Sequence, residues 1–299
     1  GNMGMDACTL CPRMCGVNRA AGEKGYCGMD ATIRAARAAL HMWEEPCISG
    51  TQGSGAVFFS GCSLRCIFCQ NFEIAEGNCA KEISGERLSE IFLELQEQGA
   101  ANINLVTAAH YVPAVIESLK KAKAQGMDLP VIYNSSGYER VETVQMLEEV
   151  VDVWLPDFKY MDSKLAFAYS RAKDYPEVAR AAIREMMKAA GTCAYDEDGY
   201  IQKGVIVRHL ILPGHTKNSI AVLDELYGTY GDDLTISLMN QYTPLPQVRN
   251  IPDLNRRVTK REYEKVLDHA LDLGITQGFF QEGGTAKESF IPLFDYEGL

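Results

Sequence analysis

The chain is expected to fold as an α/β protein, with a parallel sheet covered by helices that closes into a full or partial barrel. Three observations predict this. From about residue 55 onward, six apolar strand-like segments alternate with helical ones. Those strands are apolar along their length rather than on alternate residues, as strands buried on both faces are. Residues 1–50, rich in Cys, Gly, Ala and Arg, lack this periodicity and read as a separate extension ahead of a main domain over 51–299. Right-handed βαβ crossovers let such a series wrap into a barrel. An open doubly wound sheet would show the same order of elements, because strand order is not written in the sequence.

In chain order, the apolar run Ala56-Val57-Phe58-Phe59 is the first strand and ends at Ser60-Gly61. A helix over 85–98 follows, its apolar residues Leu88, Ile91, Phe92 and Leu95 falling on one face. Strand 102–107 (NINLVT) precedes a helix that Pro113 can start. Strand 130–134 leads to a helix over 139–149, and strand 152–158 (DVWLPDF) to helices across 163–190. Strand 204–212 leads to a helix over 218–228. Strand 233–239 leads through a long loop to a helix over 259–272 that Gly274 closes. A last short run, 278–281 (GFFQ), is a candidate further strand.

The 299 residues are 46% hydrophobic, enough for a sizeable core, and carry a formal charge of −11. That acidity argues against a broad nucleic-acid footprint. No run of eighteen apolar residues is present to span a membrane. The first residues show neither the basic nor the apolar part of a secretory leader, so a cytoplasmic location is expected. Disulfides rarely persist there, so ten cysteines need another explanation. Cys47, Cys79 and Cys193 are scattered and read as small core residues. The other seven form two groups, Cys8, Cys11, Cys15 and Cys27, and Cys62, Cys66 and Cys69.

The second group is the most informative. Cys62-Ser63-Leu64-Arg65-Cys66-Ile67-Phe68-Cys69 has the spacing C-x3-C-x2-C and directly follows the first strand. Three thiolates can hold three irons of a [4Fe–4S] cubane and leave the fourth without a protein ligand. An open coordination position is what a catalytic metal needs. Tetrahedral zinc would want a fourth ligand, and no His or Cys stands immediately beside the triplet. Positions i, i+4 and i+7 also share a helix face, but Gly61 and the end of the strand argue for a loop.

The triplet, with aromatic Phe68 before its last cysteine, resembles the C-x3-C-x-Φ-C signature of radical S-adenosylmethionine enzymes. The resemblance implies a TIM-like partial (β/α)6 barrel preceded by a small Cys-rich metal-binding extension. It also implies reductive cleavage of S-adenosylmethionine at the open iron to a 5′-deoxyadenosyl radical. Ligands of parallel αβ folds lie beyond the carboxyl ends of the strands, so the residues there are the candidates for cofactor contact. Asn134-Ser135-Ser136-Gly137 resembles the Asp-Thr-Asn-Gly turn of glycyl-radical-enzyme activases, which makes Asn134 and Ser136 candidates, although an ordinary turn has the same composition. Asp157-Phe158-Lys159 resembles their Asp-x-Lys motif. Arg208 and the following Pro213-Gly214 resemble their Arg…Pro-Gly strand, and an inward arginine needs a carboxylate or anion partner. Where the activases carry Gly-Gly-Glu-Pro, this chain has Thr107-Ala108-Ala109-His110, with Thr107 or His110 as candidates to substitute, although a lone histidine there equally suits a structural role. Gln241, in a polar Asn240-Gln241-Tyr242 run, is a further candidate.

Cys8, Cys11, Cys15 and Cys27 have the spacing C-x2-C-x3-C-x11-C, which suits structural zinc or a fully ligated second cluster. This arrangement resembles the N-terminus of a pyruvate formate-lyase activating enzyme-like branch of the same superfamily. The leading expectation is therefore an oxidoreductase that places a glycyl radical on a partner enzyme, with a flavodoxin or ferredoxin as electron donor. The alternatives are radical chemistry on a small molecule, a peptide or a modified nucleotide, or a non-catalytic iron–sulfur or zinc protein.

Overall fold

The computed structural model describes residues 4–42, 44–275, 278–280 and 295–299. Its strands are β1 (Arg34–His41), β2 (Ser54–Phe59), β3 (Lys81–Glu82), β4 (Ile103–Val106), β5 (Val131–Ser135), β6 (Val153–Pro156), β7 (Ala194–Tyr195), β8 (Ile201–Leu210), β9 (Thr235–Met239) and β10 (Gly278–Phe280). The helices are α1 (Phe72–Ala75), α2 (Gly85–Glu97), α3 (Val112–Ala124), α4 (Val141–Leu147), α5 (Ser163–Ser170), α6 (Tyr175–Ala190), α7 (Thr216–Tyr230) and α8 (Lys260–Asp272).

One sheet has the order β10-β9-β8-β6-β5-β4-β2-β1-β3, with β7 paired to β8 off this path. From β2 to β10 every neighbouring pair along that order is parallel. The strands follow one another in sequence order, each reached through a helix, which is the arrangement of a barrel rather than of a doubly wound sheet. Among the described residues the sheet does not close, since β3 and β10 are its two ends. The partial barrel expected from the alternation is what forms.

The strands bury nearly every residue; β2, β4, β5 and β6 carry no exposed position. Helices α2, α3, α6, α7 and α8 pack the other side of the sheet through Leu88, Ile91, Phe92, Val115, Leu119, Ile183, Val222 and Val266. Local chemistry fixes their starts. Ser84 Oγ caps α2 by accepting from Arg87 N, Pro113 lies in the first turn of α3, and Thr259 with Glu262 forms a capping box on α8.

Two elements depart from expectation. Residues 34–41, which show no strand pattern, form β1, an antiparallel neighbour of β2 that also carries β3. Its sequence is mostly Ala and Arg, residues poor in β-propensity, so the pairing rather than the residues makes it a strand. The second is β8, which begins at Ile201 rather than at 204 and pairs there with β7, a hairpin hidden by Asp and Gly residues. Gln281, the end of the last expected strand, lies outside the described residues.

Candidate functional site

The cysteine triplet occupies the loop between β2 and α1, at the carboxyl end of the sheet. Arg65 adopts φ +54°, a left-handed turn that aims backbone N–H groups inward. As a result Leu64 N and Arg65 N donate to Cys62 Sγ at 3.4 and 3.5 Å. Ser170 Oγ donates to Cys66 Sγ at 3.0 Å and is itself bonded to Tyr160 OH at 2.7 Å. Donors aimed at sulfur stabilise thiolate, the form that binds metal. Without metal, burial and the neighbouring thiols push Cys69 up to about 12, so loading must displace protons.

All three sulfurs line one cavity of about 280 Å³. It also receives Phe68, Thr107, Asn134, Ser136, Asp157, Lys159, Arg208 and Gln241, so eleven sequence candidates from six loops and strands converge. His110 does not reach it. That ring is buried beneath the loop, bonded through Nε2 to Ser60 O at 2.6 Å, and burial lowers it to about 3. Its role is to hold the end of β2.

The polar wall is an ion-pair chain. Lys159 Nζ lies 2.9 Å from Asp157 Oδ2, and Arg208 Nε lies 3.4 Å from Asp157 Oδ1. Arg208 also donates to Asn134 Oδ1 at 2.5 Å and to Glu44 Oε2 at 3.2 Å. Burial alone would raise Asp157, but the Lys159 ammonium and Arg208 guanidinium outweigh it and hold the carboxyl below its ordinary value. For Glu44, burial outweighs Arg208 and the carboxyl rises to about 7. The partner expected for an inward arginine is thus supplied by the protein itself. Thr107 adopts φ +60°, a strained conformation for a β-branched residue, at the mouth of the cavity. Phe68 packs edge-on against Tyr160, Tyr169 and Tyr242, with Lys159 Nζ 5.8 Å from its ring centre.

Sequence reasoning missed His41, Glu44, Gln70 and Asn71, which also line the cavity. Glu44 comes from the segment after β1, where no motif marks it. The one available signal was an acidic pair, Glu44-Glu45, flanked by apolar residues.

Three thiols lining one cavity have the donor chemistry of an iron–sulfur cluster. Among the described residues no three His, Cys, Asp or Glu side chains converge as ligands of one metal ion. Gln241 Oε1 is buried without a hydrogen-bond partner, which a polar ligand in the cavity would supply. The same absence of convergence holds for Cys8, Cys11, Cys15 and Cys27. There the backbone has made room: a Cβ on Gly25 would stand 3.0 Å from Cys15 Sγ and 3.7 Å from Cys27 Sγ. Burial pushes Cys11 up to about 12 and raises Cys27, so this group too would release protons on binding metal.

Residues 49–172, which contain the triplet, match the family described as a 4Fe-4S single cluster domain. The chain is 29% identical over 270 residues to the uncharacterised protein MJ0674 of Methanocaldococcus jannaschii, covering 88% of this chain and 74% of that one. The solved structure of HydG, a maturase of the [FeFe]-hydrogenase, is similar with a TM-score of 0.53 at 15% identity, over 79% of this chain and 54% of that one. That of a radical SAM methyltransferase from Sphaerobacter thermophilus gives a TM-score of 0.49 at 14% identity, over 76% of this chain and 66% of that one. The chain thus spans only about half the length of HydG. The likeness to HydG shows a shared barrel fold, and the residues matched by the 4Fe-4S single cluster family include the triplet.

Proposed function

We propose that the chain is a radical S-adenosylmethionine enzyme. The observation that carries this is the single cavity on which three thiols of a [4Fe–4S] segment meet the Asp157–Lys159 pair. Cys62, Cys66 and Cys69 would hold the cluster. A reduced cluster held there would supply the electron for reductive cleavage of S-adenosylmethionine to methionine and a 5′-deoxyadenosyl radical. Lys159 presents an ammonium to the cofactor's carboxylate, and Asp157, kept ionised by its two cations, accepts from its ammonium or ribose hydroxyls. Asn134, Ser136, Thr107 and Gln241 supply short polar groups around the rest of the molecule, and Phe68 shields the cluster with its aromatic neighbours.

The resemblance of Asp157-x-Lys159 and Asn134-to-Gly137 to segments of glycyl-radical-enzyme activases favours a glycine of a partner enzyme as the radical's target, and with it a flavodoxin or ferredoxin as electron donor. Thr107-Ala108-Ala109 in place of Gly-Gly-Glu favours the second reading, a small molecule or peptide. Anaerobically reconstituted protein given dithionite and S-adenosylmethionine should release 5′-deoxyadenosine, while Cys66→Ala should release none. Equal release from both, or none from well-loaded wild type, would contradict the proposal. A glycyl radical signal on a co-incubated partner would then decide between the two targets.

A further inference from the structure

The two cysteine groups are not independent. Arg13, between Cys11 and Cys15, reaches across to the loop that carries the other group. Its Nε donates to Ser63 O at 2.9 Å and an Nη to Leu64 O at 3.2 Å, both carbonyls lying between Cys62 and Cys66. The same guanidinium donates to Ser170 O at 2.7 Å and to Arg171 O. Those two carbonyls end α5, where a helix leaves acceptors unpaired and where a cation is favoured. Ser170 is also the residue whose hydroxyl bonds Cys66 Sγ. One side chain from within the first group therefore holds both the backbone just before Cys66 and the helix end whose Ser170 bonds its sulfur.

Two further contacts tie the groups together. Cys62 N donates to Cys27 O at 3.4 Å, and a Cβ on Gly61 would stand 2.8 Å from that same oxygen. The Arg13 guanidinium is stacked 4.0 Å from the ring centre of Tyr26, the neighbour of Cys27, and 5.2 Å from that of Tyr138. Arg65 in turn donates to Tyr26 O at 3.4 Å. Lysine at position 13 would keep the charge but lose the planar fork that serves four carbonyls.

We infer that Arg13 is a positioning residue through which the Cys8/Cys11/Cys15/Cys27 motif, once filled with metal, sets the geometry and retention of the cluster on Cys62, Cys66 and Cys69. The inference rests on the function proposed above. Metal in the first motif fixes Cys11 and Cys15, hence Arg13 between them. Arg13 then holds the carbonyls that orient the N–H donors to Cys62 and the hydroxyl donor to Cys66. Groups that orient metal ligands from outside the ligand set are worth about tenfold or more in metal retention.

The test uses full-length, anaerobically loaded protein and follows the electron paramagnetic resonance signal that S-adenosylmethionine perturbs, during exposure to an iron chelator. Arg13→Gln should lose that signal about tenfold faster than wild type and show altered g-values, with a melting temperature close to wild type. Arg13→Lys should fall between the two. Cys15→Ala, which removes no contact to the triplet loop, should accelerate the loss to the same extent. Combining it with Arg13→Gln should add nothing, because both act through one linkage. A wild-type spectrum and wild-type retention in Arg13→Gln and Arg13→Lys would overturn the inference, as would additive effects in the double variant. If wild-type iron ignores S-adenosylmethionine, the preceding proposal fails, and release of total iron from Arg13→Gln against wild type decides the clamp by itself.

Discussion

Asp157 is the residue on which the cavity's electrostatics turn. It stands between two cations, Lys159 at 2.9 Å and Arg208 at 3.4 Å, and each of the three is largely shielded from water. Removing its charge leaves two positive groups facing one another in a dry site. Asp157→Asn should therefore cost about 3 kcal/mol in the metal-free protein, seen as a lower urea midpoint at unchanged slope. An unchanged midpoint would mean that the chain of ion pairs is loose and solvated. Asp157 and Lys159 were picked out in the sequence because they stand at a strand's carboxyl end and resemble the Asp-x-Lys motif of the activases. Glu44 was not. It meets Arg208 across a separation of 164 residues, and only the pairing of β1 beside β2 brings it there. Arg13 was hidden for a similar reason: its partners are carbonyl oxygens, which every residue has and no motif advertises.

At the scale of elements, β8 is held to its neighbours through a buried histidine. His209 Nδ1 donates to Phe158 O at 2.7 Å, next to the Asp157 wall, and its Nε2 accepts from Ser219 Oγ of α7 at 2.8 Å. Burial lowers its pKa from 6.5 to about 4. The ring is therefore neutral when folded and charged in the unfolded chain between those values. Its contribution to stability is whole above pH 6.5 and is lost as pH falls toward 4. His209→Gln should shrink the difference in unfolding free energy between about pH 7.5 and about pH 4.5 by about 2 kcal/mol. The same pH dependence in wild type and variant would assign it to other groups. Along the chain, the parallel strands were legible because each is an unbroken apolar run. By contrast, β1 and the β7–β8 hairpin exist through pairing with neighbours, which a local pattern does not record.

Across the whole molecule, the helices and parallel strands form the frame, and the loops at the carboxyl end of the sheet line the cavity. The proposed open-sided cluster rests on a segment matched to a [4Fe–4S] family and on three thiols lining one polar cavity of a barrel-like fold. Among the described residues no helix is long and apolar enough to cross a membrane. The direct measurement is Mössbauer spectroscopy of protein loaded anaerobically with 57Fe, before and after addition of S-adenosylmethionine. The cluster proposed here predicts that about a quarter of the [4Fe–4S] signal on Cys62, Cys66 and Cys69 shifts on addition, because one iron of four lacks a thiolate. A spectrum that S-adenosylmethionine leaves unmoved, from protein that holds its full iron and sulfide, would contradict it.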